Sequence, residues 1–204
     1  RWGPRLHLAG GLSLADGIAA VCAGARDAAA RTATVVRLIC TAIRSHDPEA
    51  NVGLAETASR FRDQGLTGWD LAGPEAAFPD PLVHGTAFEA ARAGGLRITV
   101  HAGEWGGSGQ VRRALALAPE RIAHGPSATD DPDLCRTLIA RGVTLDLCPT
   151  SNVQVGSVPS LAAHPLARLH RAGVPVTLST DDSTVSDVSL SEEYRRAVEV
   201  IGLT

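Results

Sequence analysis

His101 and Glu104 stand together in the run His101-Ala102-Gly103-Glu104, at the end of an apolar, β-branched stretch. A histidine leaving a buried strand can offer a ring nitrogen to a metal ion, and a carboxyl group beside it can carry a proton. The same residues also read as a loop-bonded histidine and a carboxylate capping the next helix. His124-Gly125 repeats the placement after the following apolar run, with metal binding, catalysis or an ordinary loop role open to it. Asp181-Asp182 follows Val174–Ser179. Adjacent carboxylates repel one another unless a cation or a donor engages them. In extended chain they point apart, so one could hold a metal while the other faces a ligand. A helix N-cap or an exposed turn is the plainer use of the pair. Asp70-Leu71-Ala72-Gly73-Pro74-Glu75 adds a fourth strand end, whose Gly73 permits close backbone approach to a flat ligand. Cys148-Pro149-Thr150-Ser151-Asn152 adds a polar turn at a fifth.

These groups need elements to hold them. Strand-like apolar runs are expected at Ala33–Cys40, Leu66–Leu71, Leu96–His101, Arg121–His124, Val143–Cys148 and Val174–Ser179. They are rich in β-branched residues, as strands covered on both faces by helices should be. Between them run amphipathic patterns. Ser13 and Asp16 form a capping box for a helix to about Ala30, with Leu14, Ile18, Val21 and Cys22 on one face. Asp131-Pro132 opens a helix that Gly142 closes. His164-Pro165 starts a short one ending before Gly173, and the last begins near Ser191 with Glu192 and Glu193 in its first turn.

Repeated βα units joined by short connections imply a parallel sheet wound right-handed. The polar residues choose the architecture. Asp70, His101, His124 and Asp181 lie at the C-terminal ends of separate strands, which in a barrel converge on one mouth. An open sheet would centre its chemistry on a Gly-rich first turn, and no G-x-G-x-x-G follows any strand here. The expectation is an α/β chain, a (β/α)8 TIM-type barrel forming one domain over 1–204. A full barrel needs eight strands and roughly 250 residues; here about six are complete, with Arg1-Trp2 as the tail of another. The chain lacks Met, opens on Arg1 and closes with Gly202 after an apolar helical pattern. Its first strand and part of the second are therefore expected upstream, with more chain to follow.

Of 204 residues, 44% are hydrophobic and 20% charged, an ordinary globular composition. The net charge of −3 gives no reason to expect nucleic acid or an anionic membrane as partner. No apolar stretch reaches a membrane-spanning length. Cys22, Cys40, Cys135 and Cys148 form no Cys-x-x-Cys and read as reduced thiols of a cytoplasmic protein. His46, His84, His164 and His170 are expected in loops or on helix faces, exposed to solvent.

Taken in order, DLAGPE, TVHAGE, RIAHG, LCPTSN and STDD resemble the adenosine deaminase family of the amidohydrolase superfamily. The resemblance runs over nearly the whole chain from Trp2. It implies a metallo-dependent hydrolase barrel with one zinc ion per chain, held in part by His101 and Asp181. It further implies that Glu104 shuttles a proton to purine N1 and that His124 positions and polarises the attacking water. Asp182 would bond purine N7, and the Gly73 N–H would bond N3. The reaction implied is hydrolytic deamination of adenosine or a closely related 6-aminopurine nucleoside. A larger adenosine derivative, or a barrel that binds purines without turnover, are the alternatives. Gly73 in a DLAG turn looks more like the nucleoside branch than the free-base branch, where Ser is usual. The family's other two zinc ligands form a His-x-His pair, absent from this sequence and expected upstream of Arg1. Ala123, Asp146 and Ser183 depart from the Gly, Glu and Pro common at those places.

Overall fold

The computed structural model describes all residues from Arg1 to Thr204. It contains six parallel strands: β1 Leu38–Ile43, β2 Leu66–Ala72, β3 Arg97–Ala102, β4 Arg121–His124, β5 Thr144–Leu147 and β6 Val176–Leu178. They neighbour one another in sequence order. The α-helices are α1 Leu14–Thr32, α2 Pro48–Ser59, α3 Gly85–Ala93, α4 Ser108–Ala114, α5 Pro132–Arg141, α6 Pro149–Gln154, α7 Leu166–Arg171 and α8 Leu190–Arg196. Strand and helix alternate, as the expected α/β architecture requires. The strands fall where the sequence places them except β1. It begins five residues later than Ala33, because α1 runs on to Thr32 and Ala33 takes a left-handed cap (φ 54°).

The chain forms two compact units, one comprising Arg1–Pro74 with Asp80–Thr99 and the other Glu75–Pro79 with Val100–Thr204. In the first, β1 pairs β2 from Leu38↔Leu66 to Ile43↔Ala72, and Trp69 pairs Ile98. Trp2 bridges Cys40 in parallel, with Trp2 N–H donating to Ile39 O (3.2 Å) and Thr41 N–H to Trp2 O (2.8 Å). Arg1-Trp2 is thus the tail of a further strand, as expected. Trp69 and Phe88 meet edge to face at 6.3 Å in a core shared with Ile18, Leu54, Leu66 and Leu71. Ser13 caps α1 by accepting from the Asp16 N–H. Asp70 lies inside β2 rather than at its end, because the ladder continues to Ala72. It is fully buried, accepting from Thr41 Oγ1 at 3.3 Å.

In the second unit, β4 pairs β5 through Ile122↔Leu145 and β5 pairs β6 through Leu147↔Leu178. Its core holds Ile122, Leu145 and Leu147 from the strands and Leu134 and Leu138 from one face of α5, spaced i, i+4 as a helix requires. Asp131 caps α5 by accepting from the Leu134 N–H, and Gly142 ends it at φ 65°.

The expectation of four exposed histidines holds for His170, is met only in part by the half-buried His46, and fails for the other two. His84 and His164 are 2% and 3% exposed. Each replaces its water contacts by side-chain and backbone hydrogen bonds, His84 to Asn51 and Arg44 O and His164 to Asn152 and the Leu166 N–H. That satisfaction lets a polar ring enter a core. Cys22, Cys40 and Cys148 are buried and all four thiols are free. No helix is long and apolar enough to cross a membrane.

Candidate active site

β3, β4 and β6 each lead at the C-terminal end to a polar residue. β3 runs into His101, and Gly103 (φ 73°) then turns the chain towards Glu104. Only glycine fits that turn: a Cβ there would lie 2.5 Å from Val111 Cγ2 and 2.6 Å from Ser127 Oγ. Ser127 secures it by donating to Gly103 O at 2.8 Å. Glu104 does not cap the next helix, since α4 has Gly107 at its N-cap and no side-chain cap. Its carboxylate is left for other work.

β4 ends on His124 and β6 leads to Asp181, and both adopt the left-handed region (φ 65° and 60°). Non-glycine residues there cost of order 1–3 kcal/mol each, and such strain collects at functional sites. Here it turns both side chains onto one another's neighbourhood. His124 Nε2 lies 3.7 Å from Glu104 Oε2 and 3.9 Å from Asp181 Oδ2, and the His101 and His124 rings are 5.1 Å apart. The donor atoms of Glu104, His124 and Asp181 all fall within 4.8 Å of one another.

The environment sorts the carboxylates. The Glu104 side chain is 9% exposed and that of Asp181 is 38% exposed. Burial above all raises the Glu104 carboxyl to about 7, with His101 opposing it and Asp181 and Glu75 adding to it. A carboxyl group that titrates near neutrality can both give and take a proton. Asp182 behaves differently from Asp181. The pair sits in a turn, not in extended chain, and Asp182 Oδ1 accepts from the Thr184 and Val185 N–H groups (both 3.0 Å). The exposed-turn use of an adjacent carboxylate thus holds for Asp182, whose backbone bonds fix its orientation.

Gly73 closes β2 in the first unit with φ 122°. Its missing Cβ would stand 3.3 Å from Arg44 N and 3.4 Å from Arg44 Cβ, so the turn demands glycine. Glu75, two residues on, accepts from the N–H groups of Trp105 (3.1 Å) and Gly106 (2.6 Å), which shapes the loop after Glu104.

Residues 148–152 correct the expectation of a polar turn. Pro149 opens the helix α6, where a proline loses no hydrogen bond at the first position. Ser151 and Asn152 then project from successive helical positions. Ser151 Oγ donates to Asp181 Oδ2 at 2.8 Å, and the Asn152 amide meets His124 Nδ1 at 3.1 Å. Residue type alone singles out neither. The signal available is Pro149 as a helix start.

These donors fit zinc as far as this chain carries them. Imidazole and carboxylate are ordinary zinc ligands, and His101, at the end of β3, and Asp181, after β6, offer one of each.

The adenosine deaminase family profile matches residues 1–204. The chain belongs to the adenosine deaminase family. An adenosine deaminase from Mycobacterium sp. (strain KMS) is 40% identical over 99% of this chain and 60% of its own length. The crystal structure of an adenine deaminase from Arthrobacter aurescens superposes with a TM-score of 0.90 at 26% identity, covering 99% of this chain and 62% of its own. An amidohydrolase from Burkholderia ambifaria, solved with bound Zn, superposes with a TM-score of 0.87 at 30% identity, over 95% of this chain and 54% of its own. This adenosine deaminase family chain thus has the α/β architecture expected of it, six parallel strands in sequence order alternating with helices. It spans about 60% of the length of the Mycobacterium relative.

Proposed function

We propose that the protein carrying this chain hydrolytically deaminates adenosine or a closely related 6-aminopurine nucleoside. The observation that carries the reading is Glu104, buried, held near neutrality and 3.7 Å from His124. A deamination at C6 needs a proton delivered to ring N1 as the nucleophile adds to the carbon. A group with pKa about 7 is suited to both halves of that exchange. His101 and Asp181 are the ligands this chain contributes to the metal. When bound, zinc supplies Lewis acidity that makes water ionise near neutral pH. His124 directs its Nε2 face at the attacking oxygen, and Glu104 protonates N1. Water thereby adds across the C6–N1 bond, the added hydroxyl gives its proton to the amino group as the C6–N bond breaks, and ammonia departs to leave a 6-oxopurine. Asp182 addresses N7. Support for a nucleoside over a free base is the DLAG turn, whose φ of 122° at Gly73 strains any other residue there.

The test is ammonia release by the intact protein, zinc-loaded, with adenosine and adenine compared at equal concentration. Turnover of adenosine at least tenfold faster is expected. Preference for adenine would overturn the nucleoside assignment, and inactivity of the zinc-loaded protein on both would overturn the reaction.

A further inference from the structure

His164 is 3% exposed and stands one step removed from the active site. Its Nδ1 accepts from the Leu166 backbone N–H at 3.2 Å. Its Nε2 meets Asn152 Oδ1 at 3.2 Å. Asn152, fully buried, meets His124 Nδ1 through Nδ2 at 3.1 Å. The backbone of Asn152 is itself pinned, because its carbonyl accepts from Ser157 Oγ (3.0 Å) and the Val158 N–H (3.0 Å).

The direction of every bond in this row follows from its far end. A backbone N–H can only donate, so His164 Nδ1 must accept. A neutral imidazole that accepts at Nδ1 carries its proton on Nε2, and that proton requires an acceptor. Asn152 must therefore present its carbonyl oxygen to His164, which leaves its amide donors for His124. His124 Nδ1 then accepts, and its proton resides on Nε2, the atom facing Glu104 and Asp181. Reversing the Asn152 amide would set two donors against each other at the Leu166 N–H. A charged His164 would do the same, and burial holds its ring well below the usual imidazole range, at about 4.

We propose that His164 and Asn152 are positioning residues that lock His124 in the Nε2–H tautomer, making it a hydrogen-bond donor to the attacking oxygen and barring it from ligating the metal. A nitrogen that bears a proton has no lone pair for a cation. The lock thus separates His124 from His101, although both are strand-end histidines and their rings stand 5.1 Å apart. The catalytic half of the statement rests on the deaminase reading. The tautomer half does not.

The experiment reads both halves. Nitrogen-15 NMR of the imidazoles in the intact protein should show a pyridine-type Nδ1 and a pyrrole-type Nε2 for His124 and for His164. A pyrrole-type Nδ1 on His124 would overturn the proposal in the wild-type protein alone. His164→Phe keeps an aromatic ring and removes both bonds, while Asn152→Leu keeps the volume and removes the link. Either should leave His124 averaging between tautomers, with kcat on adenosine lowered about 10–100-fold, as loss of an orienting partner commonly does, and KM within about twofold. His164→Gln can still donate to Asn152 and should restore the fixed tautomer and most of kcat. An unchanged His124 tautomer in the folded Phe or Leu variant would overturn the lock. If the tautomer shifts while kcat holds, the lock stands and the role of His124 as donor in the reaction falls.

Discussion

Ser151 Oγ donates to Asp181 Oδ2 across 2.8 Å, tying the helix α6 to the strand end after β6. The bond occupies one carboxylate oxygen and orients the other, in a residue whose backbone is already strained into the left-handed region (φ 60°). Ser151→Ala should weaken zinc binding about 10–100-fold, the usual cost of losing an outer partner. It should leave stability nearly unchanged, because Asp181 stays partly solvated. Competition titration with a metal-sensitive dye, alongside denaturant unfolding of the metal-free protein, separates the two effects.

Glu104→Gln keeps the size of the side chain and removes the titrating proton. Deamination of adenosine should fall by about 10²–10⁴, the range for losing a general acid–base group, with zinc stoichiometry retained. Steady-state rates and elemental analysis on the same preparation check it. A rate within tenfold of wild type would remove Glu104 from the reaction.

His101→Ala and Asp181→Ala each delete a ligand that the proposed site draws from this chain. Zinc content after dialysis should drop below one half per chain in both variants, while His124→Ala should retain its zinc and lose activity. Equal zinc loss in all three would make His124 a ligand instead.

Gly103→Ala combines a positive φ of 73° with a Cβ at 2.5 Å from Val111 and 2.6 Å from Ser127. Val111 is fully buried. Overpacking of this kind costs about 1–3 kcal/mol, to which the backbone conformation adds about 1 kcal/mol or more. Urea unfolding should register the sum, and Gly142→Ala offers the comparison: it has a similar positive φ of 65° in the left-handed region but nothing within 4 Å of the added Cβ.

His164 also predicts a pH dependence. Its folded pKa of about 4 lies below the ordinary imidazole value of 6.5, so the unfolded chain binds more protons between those values. The stabilisation is complete above pH 6.5 and is lost as pH falls through the window towards 4. The full difference is of order 3 kcal/mol. Wild type should therefore lose stability between pH 7 and pH 5 more steeply than His164→Gln, as guanidinium unfolding at the two values would show.

Much of this was legible in residue order. The alternation of β-branched runs with capped amphipathic stretches set out the βα units, because hydrophobic period and capping chemistry are local. His101, Glu104, His124 and Asp181 stood out as candidates because chemistry-bearing residues recur after the strand-like runs, the place where barrel folds build their sites. The boundary errors were local as well. Ala33 looked like strand until α1 extended over the small residues before it, and residues 149–152 looked like turn until Pro149 proved to open a helix.

What sequence could not determine was which polar side chains find partners inside the fold. His164 and His170 are two loop-and-helix histidines six positions apart, and nothing in their immediate neighbours tells the buried one from the exposed one. Burial of an imidazole depends on donors and acceptors brought from elsewhere, here Asn152 across twelve residues and, through it, His124 across another twenty-eight. Sequence alone placed His101 with Glu104 after one strand, His124 after the next and Asp181 after a later one. Only the tertiary structure decided where the proton on His124 resides, because hydrogen-bond direction is set by a backbone N–H at Leu166 that folding carries into reach.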